Sequence, residues 1–131
     1  MFGVHVLVML CLAGSALPAP PPEARVNLGR LRTGATVAFV RGGSGEWGIE
    51  IAGGPAPRVA QTKPARLEVM RGDDDIRQLA SGYRTVRWST GAVVCMADIP
   101  DAAGIGFHVE DRWSVRDAVL SLRRHVPLAG R

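Results

Sequence analysis

The side chains best suited to a recognisable chemistry are three tryptophans, Trp47, Trp88 and Trp113. An indole ring is a flat apolar plate with a polar N–H edge, and the C–H faces of a sugar can stack on such a plate. Tryptophan is equally a core residue, so packing is the competing role at each position. Trp88 and Trp113 are the carbohydrate-contact candidates. Hydrolysis of a glycosidic bond would further need two carboxyls at a defined separation. Glu46, Glu50, Asp98, Asp101, Glu110 and Asp111 supply carboxyls. Nothing in their spacing fixes such a pair, so no catalytic residue is assigned.

Other motifs point elsewhere on inspection. Gly43-Ser44-Gly45-Glu46-Trp47-Gly48 spells GxGxxG. A dinucleotide site needs a helix to begin inside that motif so that its N-terminus holds the pyrophosphate. Ile49-Glu50-Ile51 is strand-like and Gly53-Gly54-Pro55 follows, so a glycine hairpin loop is the better reading. Asp73-Asp74-Asp75 lacks the alternate spacing of a calcium loop and suits the start of a helix instead. Arg71-Gly72-Asp73 spells a cell-adhesion tripeptide, too short to carry weight. His108-Val109-Glu110 matches the HxE of zinc deaminases, with no cysteine pair to complete a metal site. No metal and no cofactor are expected.

The chain has 131 residues, with 16 Lys and Arg against 12 Asp and Glu, a net charge of +4. Arg84, Arg87, Arg112, Arg116, Arg123 and Arg124 alternate with apolar residues and form no block. A nucleic-acid footprint would gather them on a stripe with aromatics, so no nucleic acid is expected. A solvated basic face of a sheet is the plain reading, with an anionic polysaccharide as the competing one.

Val4 to Ala16 (VHVLVMLCLAGSA) is almost wholly apolar and carries no Lys, Arg, Asp or Glu. A run of about 7–15 apolar residues closed by small ones is a signal-peptide core. Gly14 and Ala16 stand at −3 and −1 of a cleavage site. A membrane-spanning helix needs about 20 apolar residues, and Pro18, Pro20, Pro21 and Pro22 stop this run short. The expectation is export to the periplasm or the medium, with residues 1–16 as the signal and no membrane span once it is removed. Cys11 leaves with that signal. Cys95 is then alone in the run Ala92–Ala97, where a small buried hydrophobe is expected. The remainder makes one domain with a modest core.

The elements that must position these residues are strands. Pro18 to Ala24 is a Pro-rich linker, and residues 17–32 are read as linker and lead-in to a domain over 33–131. Thr36 to Val40 is β-branched and apolar. Glu46 to Ala52 alternates, with Trp47, Ile49 and Ile51 as one set. Arg66 to Met70 is a short strand, Asp75 to Ala80 a short helix capped by the aspartates and ended by Gly82. Tyr83 to Ser89 alternates, and Ala92 to Ala97 reads as a central strand. Phe107, Val109, Asp111, Trp113 and Val115 then form one face against His108, Glu110, Arg112 and Ser114. Leu120, Leu122, Arg124 and Val126 alternate with Val119, Ser121, Arg123 and His125. A hairpin turning at Arg116-Asp117 is favoured over a helix because the period of 2 holds on both sides.

That hairpin resembles the D-x-W, turn, L-x-L-x-R-x-V pattern of N-terminal β-sandwich domains in secreted bacterial glycoside hydrolases and polysaccharide lyases. Asp111, Trp113, Leu120, Leu122, Arg124 and Val126 stand at the matching positions, in the last quarter of the chain. In that family the sandwich leads into a larger catalytic domain. The resemblance therefore implies a fragment whose catalytic domain lies outside this chain, and it carries over no catalytic residue.

The expectation is a mainly β, antiparallel sandwich-like domain, incomplete, with one short helix. Its expected role is that of an N-terminal accessory domain of a secreted carbohydrate-active enzyme. The expected partners are a polysaccharide or oligosaccharide and the downstream catalytic domain. A free-standing exported binding or structural module without catalysis is the alternative.

Overall fold

The computed structural model describes residues 24–100 and 106–127. The expected signal, most of the Pro-rich linker, Cys11 and Asp101 lie outside the described residues. Ten strands are present among those described: β1 (Arg25–Arg30), β2 (Thr36–Arg41), β3 (Trp47–Ala52), β4 (Val59–Gln61), β5 (Ala65–Arg71), β6 (Asp75–Ser81), β7 (Thr85–Ser89), β8 (Ala92–Ile99), β9 (Phe107–Arg116) and β10 (Val119–His125). They form three antiparallel sheets, ordered β1-β2-β3-β4, β10-β9-β8-β7 and β5-β6. The fold is mainly β and sandwich-like, as the alternation predicts. Strand β1 falls inside the stretch that the sequence suggests as a lead-in.

The two four-stranded sheets bury their facing sides against each other. Leu28, Val37, Phe39, Trp47 and Ile49 come from the first sheet, and Val93, Cys95, Ala97, Ile99 and Val109 from the second, in one apolar cluster. Alternate residues of a strand point to opposite faces, which is why the odd positions of β8 and β9 make this core. Phe39 is fully buried and sets its ring edge against Tyr83 at 6.2 Å and Trp113 at 6.1 Å. A bridge between Trp47 and Tyr83, with N–H···O distances of 2.7 and 2.9 Å, ties β3 to the chain entering β7. At the far end, β1 lies so close to β9 that a Cβ on Gly29 would sit 3.1 Å from Val115.

The expected helix over Asp75–Ala80 is a strand instead. β6 pairs along its whole length with β5, from Arg71 opposite Asp75 to Ala65 opposite Ser81. A helix this short is marginal in water. The hairpin satisfies the same backbone groups and sets Leu79 opposite Leu67, both packed on the core. The aspartates mark the turn between the strands, where Gly72 takes φ = +67°.

The expected hairpin forms between β9 and β10, in unbroken register from Arg116 opposite Val119 to Glu110 opposite His125. Its turn residues are Asp117 and Ala118, at φ = +52° and +61°. A two-residue loop with both residues left-handed matches the twist of the strands, and it favours glycine at the second position. Holding alanine there costs about 1 kcal/mol, and the looser unfolded chain of a glycine variant offsets roughly half of that gain. Ala118→Gly is therefore expected to stabilise the fold by about 0.5 kcal/mol. A urea midpoint that rises checks this; a midpoint that falls contradicts it.

Candidate functional site

The second sheet carries two distinct arrangements of polar side chains, one on each face. On the inner face Asp111 is fully buried. Arg124 stands directly across the β9–β10 ladder from it. The guanidinium donates from Nε to Asp111 Oδ1 and from Nη2 to Oδ2, both at 2.7 Å. Tyr83 Oη–H donates to Oδ2. Trp113 Nε1–H in turn donates to the Tyr83 oxygen at 2.9 Å. Arg124 spends its remaining donors on backbone carbonyls, Nη1 to Arg66 at 2.7 Å and Nη2 to Pro64 at 3.4 Å. The unit thus bonds β9, β10, the start of β7 and the start of β5.

Bidentate pairing in a shared plane is the strongest form of such an ion pair. A buried carboxylate is tolerable only when its oxygens are satisfied, and here three donors reach them. Burial, reinforced by the hydrogen bond to Asp111, pushes the Tyr83 phenol far above its ordinary value, so its hydroxyl stays a donor. The hydrogen bond to Asp111 likewise raises Arg124. Cys95, opposite Asp111 on β8, is buried, and burial followed by the nearby charge pushes its thiol up. It is the small buried hydrophobe that the sequence suggests.

On the outer face the register sets residues in rows. One row crosses all four strands as Arg87, Val94, Arg112 and Arg123. The next row holds Ser114 opposite Ser121, followed by Arg116 near the turn. Arg112, Ser114, Arg116, Ser121 and Arg123 border a shallow depression of about 330 Å³, closed on the β8 side by Ala92. Val94 is buried on this solvent side, as expected beneath long arginine stems. None of these four guanidiniums has a hydrogen-bonded or ionic partner among the described residues.

Comparison with family models, with curated proteins and with solved structures finds no match to this chain.

The two sequence candidates stand in one row at the inward parity, on either side of Val93, and differ in exposure. Trp88 is 54 % exposed on the edge strand β7. Trp113 is half-buried, packed on Phe39 and bonded to Tyr83. Arg84 and His108 both engage Asp98, at 2.7 and 2.8 Å, and the His108 bond with Arg84's charge holds that carboxyl below its usual range. Glu50 is held low by Arg58, with Arg25 adding to it. Among the described residues no group of three or more His, Cys, Asp and Glu gathers to hold a metal ion, and no helix is long and apolar enough to cross a membrane.

The inner unit contains a residue that sequence reasoning missed as a partner, Tyr83. The signal for the unit was present: Asp111 and Arg124 are charged residues at the apolar parity of their strands. A charge on that face must be paired, and two such charges at opposed hairpin positions pair with each other.

Proposed function

We propose that this chain is a non-catalytic β-sandwich module of an exported carbohydrate-active protein, supporting a catalytic domain and contacting glycan. The observation that carries this reading is the buried unit. Three positions on which the family resemblance rests form one device: Arg124 bonds Asp111 directly, and Trp113 joins the pair through Tyr83. Positions that share a physical task support a resemblance better than matched letters do. Fold alone leaves function open, so the surfaces bear the rest. Trp88 presents an exposed indole at the inward parity of the edge strand β7, and the outer face of the same sheet is lined with hydroxyls and guanidiniums. The apolar run Val4–Ala16 supports export, where polysaccharides are met. A free-standing exported module would use the same surfaces.

Glycan-array binding by the chain tests this reading. Binding is expected, and Trp88→Ala should weaken it about three- to tenfold by removing the stacking plate. Trp113 is a poor probe because its ring also packs the core. A folded chain that binds no glycan sinks the proposal.

A further inference from the structure

Resting on that reading, we infer that the outer face of the β10-β9-β8-β7 sheet binds an acidic polysaccharide, its carboxylate or sulfate groups on Arg112, Arg116 and Arg123. The first reason is an electrostatic cost with no return inside the fold. Arg112 and Arg123 stand directly opposite each other across the β9–β10 ladder. Like charges at opposed positions destabilise a strand pair. Neither meets a counter-carboxylate among the described residues. An anionic group lying between them would turn the repulsion into two charge-assisted hydrogen bonds.

The second reason is spacing. Arg116 lies four residues along β9 from Arg112, about 13 Å at the rise of a strand. Between them Ser114 and Ser121 face each other. Charge, hydroxyls, then charge suits a polyanionic glycan, whose acidic groups recur along a backbone that also carries sugar hydroxyls. Carboxylates on this face, Glu110 and Asp98, sit toward the opposite end, and Asp98 is already engaged by Arg84 and His108. Asp117 stands in the turn itself, so the positive charge of this face is centred on Arg112, Arg116 and Arg123, between acidic residues at either end.

A single-stranded nucleic acid is a poorer match. Its bases need aromatic plates beside the basic track. The outward positions of these strands, from Thr85, Arg87 and Ser89 to Ser121, Arg123 and His125, include no Phe, Tyr or Trp.

The experiment measures binding of the whole chain to polygalacturonate, heparin, neutral dextran and single-stranded DNA, for the parent, Arg112→Gln/Arg123→Gln and Arg116→Gln. All three residues are exposed, so both variants should fold, which thermal unfolding checks. One acidic polysaccharide is expected to bind far better than dextran, with a salt-sensitive affinity. The double variant should lose at least about tenfold, and Arg116→Gln a smaller factor. Unchanged affinity in both variants, or dextran binding as tightly as the acidic polymers, overturns the inference and leaves the glycan reading standing. DNA binding more tightly than either acidic polysaccharide overturns both.

Discussion

Asp111→Ala is expected to destabilise the domain by about 3–5 kcal/mol, the range for removing one partner of a buried ion pair. The reason lies in what is left behind. Arg124 keeps its bonds to the Arg66 and Pro64 carbonyls but loses the carboxylate that neutralises it, with its side chain only 25 % exposed. Tyr83, fully buried, loses the acceptor of its hydroxyl. An unsatisfied buried donor costs about 1–3 kcal/mol on its own. Small domains have about 5–15 kcal/mol in total, so the variant should sit near the edge of folding. Asp111→Asn keeps an acceptor for Tyr83 and should lose less. The pair of substitutions Asp111→Leu and Arg124→Met should recover much of the loss, because a buried ion pair is often no better than apolar packing of similar volume. Urea unfolding of the four proteins checks this order. A single-variant loss below about 1 kcal/mol would show that the unit is not the anchor of the hairpin.

Phe39→Ala is the second large effect, also expected at about 3–5 kcal/mol. Phe39 is the contact by which the first sheet reaches the aromatic side chains of the second. Its edge-on packing against Tyr83 and Trp113 means that truncation opens a cavity next to the Asp111 unit. The near-UV circular dichroism of Trp113 should weaken even where the variant remains folded. Because the two sites share Tyr83 and Trp113, the losses of Phe39→Ala and Asp111→Asn should not add. A Phe39→Ala cost below about 1.5 kcal/mol would mean that the sheets do not depend on this contact.

Most of the second sheet was legible in the sequence because its strands are amphipathic or wholly apolar. Ala92–Ala97 reads as a central strand because it is apolar at both parities, and β8 does lie between β7 and β9, with its odd residues in the core and Val94 buried on the outer face. The alternation over Phe107–Val126 gave the hairpin and its register to within one residue of the turn. Segments whose pattern is weak were missed. β4, with Val59, Ala60 and Gln61 all exposed, is held by backbone pairing to β3 and carries no alternation to read. β6 was hidden by its aspartates, which suit a helix cap and a turn equally well; the choice is made by β5, a non-local partner. The arginines show the same division. Their types suggested a basic face, but only the register separates Arg124, turned inward to Asp111, from Arg112 and Arg123, left facing each other outside.

Function in this account rests on that outward row. Titrating the 15N-labelled chain with a polygalacturonate oligosaccharide and following the backbone amide resonances locates the contact directly. The expected shifts are concentrated at Arg112–Arg116 and Ser121–Arg123, fade toward Asp98, and are suppressed by added salt. Shifts centred on the β1-β2-β3-β4 sheet, or no shifts with this or a sulfated oligosaccharide, would contradict it.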